Sequence, residues 1–410
     1  MTAPPRQPGP YGDPKNPYGL PPAQDGRTQQ YGQQPRAFGQ QYGQPAPGPS
    51  VTCPYCLNTI DWQDFGTVPL IRETTEGPEV LTRALGESDE RWRHRTLGAK
   101  RQCRGDGEPH YLPADYGELE PLIIGIVGAS AAGKTHLLTS MIAQLERRRA
   151  MLAGELTFRP LDGRLRQRFY EDRVRPFLEH RRVLARTARS DRPEFAYGLR
   201  VASAHTGRSH AVVFFDVAGE HFVGHEYEAT PFMSLVDGLI YVADGSGLRS
   251  GDRWNPWPPE PGFAAAIAQL TDAPSRGPVP AVIVVAKSDV LDGVADDETV
   301  TRWIGRQDET RLADLRTAKL ESREAFQFLR RRGAELWLEP FQPGSPVTLH
   351  FASASGVPQL PDRELGAFPD DGFGPKRVLR PLLSLFSMTG LVPAIEMEEP
   401  PGPPPPPLYY

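Results

Sequence analysis

The chain has 410 residues, of which 45 are proline and 40 glycine, and a formal net charge of −5 at pH 7. This length allows two or three domains, and the acidic balance gives no general attraction to nucleic acid or to an anionic membrane. Three cysteines are too few for a disulfide framework and favour a reducing cytoplasm. No apolar run approaches the roughly 20 residues that span a bilayer, and the N-terminus lacks the apolar segment of a secretory signal.

Both ends of the chain are low in complexity. Residues 1–50 are rich in Pro, Gly, Gln and Tyr, and residues 393–410 contain a run of prolines. Such segments bury too little apolar surface to offset their ordering entropy, so both tails are predicted to be disordered. The first is either a plain solvated tail or a Tyr/Gln/Gly interaction segment. The second is typical of a polyproline II ligand or of a solubilising end.

Residues 51–113 are predicted to form a small, separate zinc-ribbon-like module. A C-x₂-C pair opens it, which is the usual half of a structural zinc site. The predicted ligands are Cys53, Cys56, Cys103 and His110. His94 is an alternative fourth ligand, and a redox pair or a chance match are alternatives to zinc. Because so small a module has little core of its own, the metal would supply folding energy.

A basic run with one aromatic residue lies between the two halves of this module. Arg91 to Arg95 reads RWRHR, and basic residues interleaved with an aromatic could contact nucleic acid. Glu87, Asp89 and Glu90 partly cancel this charge. A solvated charged hairpin is therefore the favoured interpretation.

The most specific motif follows the apolar run at 122–127. The octet GASAAGKT matches G-x-x-x-x-G-K-[ST] and precedes an amphipathic helix pattern. It consists of Gly128, Ala129, Ser130, Ala131, Ala132, Gly133, Lys134 and Thr135. Its glycines let backbone N–H groups point at an anion, and the start of the helix adds a positive dipole end. Lys134 suits β- and γ-phosphates and Thr135 suits Mg²⁺, so the octet predicts a nucleotide phosphate site rather than a chance turn.

A second motif follows a predicted antiparallel hairpin. Residues 163–185, rich in Arg and Glu, are predicted to be a long, surface-exposed helical insertion, and two apolar runs at 195–202 and 210–215 then flank a polar turn. The second run ends in DVAG. The Asp216 carboxylate could hold Mg²⁺ and the Gly219 N–H could reach a γ-phosphate. By itself D-x-x-G is a weak signal for a nucleotide site, and its position after a predicted buried strand strengthens that signal.

Two more motifs follow predicted strands at 280–285 and 346–351. The first is AKSD, in which the Asp289 carboxylate could accept both N1–H and N2–H₂ of guanine, a donor pair that adenine lacks. The Lys287 stem could lie over the base. The second is SASG, in which the turn at Ser353 and Ala354 could contact a base through its backbone. Alone, a Lys-x-Asp tripeptide is more typical of solvated side chains after a core strand.

In this order, GASAAGKT, DVAG, AKSD and SAS resemble the motifs of P-loop GTPases of the Ras-like and translation-factor (TRAFAC) class, over about residues 122–390. The third motif departs from the pattern because Ala286 stands where Asn or Thr is usual. A C-x₂-C pair ahead of a GTPase with a helical insertion is also similar to a bacterial group, the double-GTPases, which is associated with other GTPases in signalling or conflict systems. The resemblance implies an α/β, P-loop NTPase three-layer sandwich with a mixed, mostly parallel sheet, spanning 118–392.

The resemblance also implies ligands and roles. The ligands would be GTP or GDP and Mg²⁺, with the octet holding the phosphates and Thr135 and Asp216 binding the metal. Lys287 and Asp289 would hold guanine, and Ser353 and Ala354 would brace it. The implied catalytic residues are Lys134, Asp216, Gly219, Glu220 and Thr187, the last as candidate switch threonine. Glu220 stands where many relatives use Gln to position water, so slow hydrolysis without a partner is expected.

The sequence therefore predicts a cytoplasmic, Mg²⁺-dependent GTP-binding and hydrolysing switch. Its expected partners are guanine nucleotide and a protein, either another GTPase or an effector, with no membrane span and no nucleic acid. An ATPase on the same fold is an alternative that Ala286 favours. A nucleotide-binding assembly scaffold with little turnover is another, favoured by the tails and Glu220. A nucleic-acid-binding zinc protein using Arg91 to Arg95 is the third.

Overall fold

The computed structural model describes residues 50–62, 68–74, 77–96, 99–105, 109–129, 131–147, 152, 154–185, 194–218, 235–248, 278–291, 298–306, 316–341, 345–360 and 366–393. All of them belong to the compact unit Phe38–Tyr410. The predicted tails therefore lie almost wholly outside the described residues. Within the described part, no helix is both long and apolar enough to cross a membrane.

The chain begins with an N-terminal module of two small antiparallel sheets and a short helix. One sheet pairs β1 (Ser50–Thr52) with β2 (Thr59–Asp61). The other has the order β4–β3–β5–β6, formed by β3 (Leu70–Thr74), β4 (Gly77–Leu81), β5 (Lys100–Cys103) and β6 (His110–Pro113). The helix is α1 (Asp89–Arg95).

The basic run RWRHR forms helix α1, and the predicted hairpin at this place is wrong. The Ser88 side chain accepts a hydrogen bond from Arg91 N and caps the helix, and acidic residues fill the first turn and basic ones the last. This arrangement stabilises a helix through its end groups and dipole. Trp92 packs against the module's own small core of Leu70, Leu81 and Ala99, and no residue of α1 is buried.

The main sheet has seven strands in the order β13–β12–β11–β7–β10–β9–β8. The strands are β7 (Glu120–Gly128), β8 (Leu156–Pro160), β9 (Glu194–Ser203), β10 (Arg208–Ala218), β11 (Gly238–Asp244), β12 (Ala281–Ala286) and β13 (Val347–Phe351). The strands β10, β7, β11, β12 and β13 run parallel, and β9 is antiparallel to both β10 and β8. The expected mixed, mostly parallel sheet and the β9–β10 hairpin are confirmed.

The edge strand β8 is absent from the sequence prediction. Its five residues alternate between buried and exposed positions, with Leu156 and Phe158 facing the core. Alternation over five residues is a weak signal next to a helical pattern, so only pairing with β9 identifies this strand.

Helices cover both faces of the sheet. They are α2 (Lys134–Arg147), α3 (Gly163–Phe169), α4 (Thr299–Ile304), α5 (Arg316–Arg331) and α6 (Leu379–Met388), with a π-helical segment at Tyr170–Glu179. Short 3₁₀ turns lie at Tyr116–Glu118, Gly245–Leu248, Ser288–Leu291 and Glu335–Leu338. Residues on α2 and α6 join one buried cluster and residues on α4 and α5 join the other, so the domain has three layers. A sheet buried on both faces explains why β7 reads as a continuous apolar run.

The helical insertion is less exposed than its charge predicts. Phe169, Val174 and Phe177 are buried, and the first two belong to the cluster that contains α2. One face of α3 and the π-helical segment therefore packs on the domain, whereas the Arg and Glu side chains occupy the other. Pro176 lacks an N–H and lies inside the π-helical segment, where the helix cannot keep a regular hydrogen-bond ladder.

The N-terminal module shares the larger part of its core with the main sheet. Cys53, Ile60, Leu112 and Tyr116 belong to the same buried cluster as sheet residues such as Phe215. The sequence predicts a separate module; in the structure part of its apolar core joins the cluster on one face of the main sheet, and a smaller part forms a cluster of its own.

Candidate functional site

Five parallel strands end at one edge of the sheet, and the described residues of the four nucleotide-site motifs lie there. The carboxyl ends of β7, β10, β11, β12 and β13 carry the phosphate-loop octet, Asp216, Asp244, Lys287 and Ser353 respectively. This edge is where open α/β sheets bind ligands. Ser130, Thr187, Gly219 and Glu220 lie outside the described residues.

The phosphate loop adopts a backbone suited to anion binding. Ala131 and Gly133 have φ values of 66° and 99°, which turn successive N–H groups toward one side. A Cβ at Gly128 would lie 2.4 Å from the Val242 carbonyl oxygen, so only glycine permits this approach. The Lys134 ammonium donates to the carbonyl oxygens of Gly128 (2.8 Å) and Ala129 (3.1 Å), which places it directly over the loop.

Two oxygen groups meet where the loop passes into α2. The Thr135 hydroxyl lies 3.4 Å from Asp216 Oδ2, and Asp216 is only 7% exposed. The register of β10 on β7 pairs Asp216 with Ile126, just before the loop, which explains the contact. A hydroxyl and a carboxylate are hard oxygen ligands of the kind that Mg²⁺ prefers, so these two residues fit the metal that the motifs imply.

The AKSD turn presents an acceptor with no partner. Asp289 Oδ1 is buried and makes no hydrogen bond with any residue that the structure describes. The turn itself is firmly held, since the Ser288 hydroxyl donates to Val285 O at 2.6 Å. A buried acceptor left unpaired costs free energy. A ligand that carries N–H donors, such as guanine, would remove this cost.

Lys287 reaches from this turn toward the phosphate loop. Its φ is 53°, a left-handed conformation that residues other than glycine rarely adopt. A Cβ built on Gly133 would lie 3.9 Å from Lys287 Cε, so the lysine stem passes across the loop. Its ammonium lies 2.7 Å from Asp244 Oδ2. Asp244 belongs to none of the sequence motifs, although an acid at the end of a buried parallel strand is the same signal that singles out Asp216.

The SASG turn and the residue before it form hydrogen bonds with the AKSD turn and with helix α2. Ala352 O accepts from Ser288 N at 3.1 Å, and Ala354 O accepts from the Ser140 hydroxyl of α2 at 3.0 Å. Ser353 is fully buried, and its hydroxyl accepts from Gly356 N at 2.7 Å. The Ser353 side chain therefore shapes the turn, and any contact with a base would come from the backbone of Ser353 and Ala354.

A second cluster lies in the N-terminal module. The side-chain ligand atoms of Cys53, Cys56, Cys103 and His110 all lie within 4.8 Å of one another. Cys53 Sγ is 3.7 Å from His110 Nδ1, and Cys56 Sγ is 3.8 Å from Cys103 Sγ. Tetrahedral bonds of about 2.3 Å to zinc place two sulfurs about 3.8 Å apart. His94, the alternative ligand, is exposed on α1 and is not in the cluster.

The electrostatics of the cluster also suit a metal. All three thiols are free, and the hydrogen bond with Cys53 lowers the pKa of Cys56 to about 5. The same hydrogen bond, together with burial, raises the pKa of Cys53. A site with one favoured thiolate and further thiols beside it is typical of zinc ligation. Gly105 is required here because a Cβ would lie 2.7 Å from Cys56 Sγ.

Aromatic rings connect this cluster to the main sheet. The Tyr55 ring stacks on His110 with centroids 5.1 Å apart and meets Phe195 of β9 at 4.3 Å. Phe195 in turn packs edge-on against Phe215, 5.8 Å away, and Phe215 directly precedes Asp216. The four-ligand cluster and the strand that carries Asp216 are therefore in continuous packing contact.

A family model and solved structures match part of this chain. A family model described as Double-GTPase 2 matches residues 122–335. Among solved structures, the chain is similar to a bacterial selenocysteine-specific elongation factor, with 14% sequence identity, a TM-score of 0.24, and coverage of 58% of this chain and 26% of the other. The matched part is thus about a quarter of that elongation factor's length. The search of curated proteins gives no match.

Proposed function

Because the chain belongs to the Double-GTPase 2 family, whose model covers residues 122–335, we propose that it is a molecular switch that binds GTP with Mg²⁺ and hydrolyses it to GDP and phosphate. The family makes it a P-loop GTPase and supports guanine nucleotide binding. The hydrolysis, the residues that perform it and the switching role are proposed. The matched range contains the phosphate loop, Asp216, Lys287 and Asp289, and it ends before Ser353.

One observation carries the assignment of the base. Asp289 Oδ1 is a buried acceptor without a partner among the described residues, at the strand edge that holds the phosphate loop. Guanine presents two neighbouring donors that would satisfy this carboxylate, whereas adenine would leave it unpaired. The Lys287 stem would cover the base, and the backbone at Ser353 and Ala354 would brace it.

The proposed contacts with the nucleotide phosphates follow from the phosphate loop and the residues beside it. The N–H groups of residues 128–135 and the start of α2 would hold the phosphates, and Lys134 would move from the loop carbonyls onto their oxygens. Thr135 and Asp216 would hold Mg²⁺, which neutralises charge on the β- and γ-oxygens when bound. Gly219 would sense the γ-phosphate and Thr187 would close over it. Glu220 would orient water, and its repulsion of the γ-phosphate would keep hydrolysis slow without a partner.

The switch is proposed to work with proteins in a bacterial signalling or conflict system. The surfaces that would read a partner are the N-terminal module, the exposed face of 163–185 and the two tails. The partner would be another GTPase or an effector. Cys53, Cys56, Cys103 and His110 would hold a structural zinc ion. Three free thiols fit the reducing cytoplasm as the site of action.

Competition for a fluorescent GDP analogue tests the base assignment. With about 1 mM Mg²⁺, which saturates typical nucleotide sites, GDP and GTP are expected to displace the probe and ATP is not. Asp289→Asn should lose at least about tenfold in GDP affinity because the Asn amide offers only one acceptor. Lys134→Ala is the control that removes binding of all nucleotides.

The same experiment separates the rival functions. Equal competition by ATP in the wild type would replace the GTPase assignment with an ATPase, the alternative that Ala286 favours. Single-turnover phosphate release from bound GTP then tests hydrolysis. Tight guanine binding with no phosphate release, including in the presence of other GTPases of the same host, would instead support a scaffold whose site does not turn over.

A further inference from the structure

We propose that Asp244 is a positioning residue for the nucleotide base, because it fixes Lys287 in place across the phosphate loop. This inference rests on the proposed guanine site and extends it to a residue in none of the sequence motifs. Asp244 ends β11, the strand between the one that leads into the phosphate loop and the one that leads into AKSD.

Both oxygens of the Asp244 carboxylate are engaged. Oδ2 lies 2.7 Å from the Lys287 ammonium. Oδ1 accepts from the backbone N (3.0 Å) and the hydroxyl (2.6 Å) of Ser246. A carboxylate held by two donors on one oxygen cannot rotate freely, so the other oxygen presents a fixed point to the ammonium. The position of Lys287 is thus set from β11 as well as from its own turn.

The exposure of this ion pair favours positioning over stability. The side chains of Lys287 and Asp244 are 38% and 26% exposed. Pairs this accessible to water contribute little to folding stability. Lys287 also occupies the left-handed region at φ 53°, which opposes folding at this residue. This ion pair adds little stability, its lysine has an unfavourable backbone conformation, and it lies at the ligand-binding edge of the sheet. Its best explanation is that it orients the Lys287 side chain toward a ligand.

The departure of AKSD from the usual motif explains why the Asp244–Lys287 ion pair is present. The register of β11 on β12 places Asp244 directly opposite Ala286. The alanine offers no polar side chain at the position where the resemblance implies one, and the acid on the neighbouring strand bonds to the next residue instead. Close approach of the two strand ends is needed, since a Cβ at Gly245 would lie 2.5 Å from Ala286 O.

The test compares binding with and without a base. The full-length protein is prepared as wild type, Asp244→Asn, Lys287→Met and the double variant. A fluorescent GDP analogue reports binding, with unlabelled GDP and base-free tripolyphosphate as competitors. Asp244→Asn should weaken GDP about tenfold and leave tripolyphosphate within about twofold of wild type. In the double variant, Asp244→Asn should cause no further loss of GDP affinity beyond that of Lys287→Met, because its partner side chain is absent.

Asp115→Asn serves as the matched control, because Asp115 pairs with a basic side chain, Arg200, at similar exposure and lies between β6 and β7 rather than at the ligand-binding strand edge. It should leave both competitors unchanged. GDP affinity of Asp244→Asn equal to wild type would overturn the inference. So would a parallel loss of GDP and tripolyphosphate, or additive effects of Asp244→Asn and Lys287→Met.

Failure of the proposed function gives a different result. A wild-type protein that binds adenine and guanine nucleotides equally would overturn the base assignment at Asp289. The double-variant comparison, repeated with the nucleotide that binds, would still decide whether Asp244 acts through Lys287.

Discussion

At the residue scale, His136 connects the phosphate loop to the segment that precedes Thr187. It directly follows Thr135, and its Nε2 accepts from Leu184 N at 3.0 Å. The edge of its ring meets Phe177 with centroids 4.6 Å apart. Burial, together with the nearby Lys287 charge, lowers the pKa of His136 from 6.5 to about 4. The imidazole is therefore neutral near pH 7 and free to accept this backbone bond.

This histidine gives the fold a defined response to acid. In the unfolded chain His136 takes up a proton below about pH 6.5, whereas in the folded chain it does so only near pH 4, so its contribution to stability is complete above pH 6.5 and is lost as pH falls toward 4. Between pH 7 and 4 the wild type should lose up to about 3 kcal/mol more than His136→Gln, which does not titrate. Urea unfolding at both pH values measures the difference.

All other residues are the same in both proteins, so their contributions cancel in this comparison. Equal losses of stability in wild type and His136→Gln would show that His136 is protonated in the folded chain at mildly acidic pH.

At the element scale, the cap of helix α3 joins two parts of the chain. Asp162 accepts from Arg164 N (2.7 Å) and Leu165 N (3.0 Å) and pairs with the Lys100 ammonium of β5 at 2.5 Å. Burial opposes ionisation of this carboxyl, yet Lys100 and the two N–H donors hold its pKa below the ordinary value. The insertion therefore begins at a group that is also bound to the N-terminal module.

Two substitutions separate the cap from the ion pair. Asp162→Asn keeps an N-cap acceptor and loses only the charge, so it should cost about 1 kcal/mol of unfolding free energy. Asp162→Ala loses both and should cost about 2 kcal/mol. Lys100→Met should add little to Asp162→Asn. Equal costs for Asn and Ala would mean that the cap contributes nothing, and a large additional effect of Lys100→Met would mean that the lysine acts elsewhere.

At the scale of the whole molecule, the N-terminal module and the main sheet share a hydrophobic core. Cys53 and Cys103, two members of the four-ligand cluster, lie in the same buried cluster as residues of β7, β10 and β11. A hydrophobic core that is continuous in this way unfolds cooperatively. Loss of the proposed zinc ion should then weaken the GTPase domain as well as the module.

Matched histidine substitutions test this coupling. Wild type and His94→Ala should each bind about one zinc ion per chain, and His110→Ala should bind less because a ligand is missing. His110→Ala should also lower the Tm of the single unfolding transition, with GDP binding lost in the same transition. Zinc retained in His110→Ala would contradict the ligand set. A second, separate transition would contradict the shared core.

The sequence alone determined the features that short-range patterns encode. The octet before α2, the β9–β10 hairpin and the apolar runs of β7 and β12 all follow from residue spacing, because a strand buried on two faces must be apolar throughout. Motifs at the ends of parallel strands had to meet at one edge. The resemblance to P-loop GTPases that these motifs carry implied the α/β class and the mixed sheet. The cysteine half of the four-ligand cluster also followed from a local C-x₂-C pair.

Only the tertiary structure decided what depends on distant residues. The fourth ligand is 57 residues from Cys53 along the chain. The sequence favoured His110 and left His94 open, and the fold confirms His110 as the member of the cluster. Asp244 and Lys287 are 43 residues apart, and nothing local to either marks the pair. Strand β8 is defined by its pairing with β9, and the shared core by the burial of the module on the sheet. Each of these contacts gains its free energy from a partner that local sequence does not specify, so the assembled fold is what selects it.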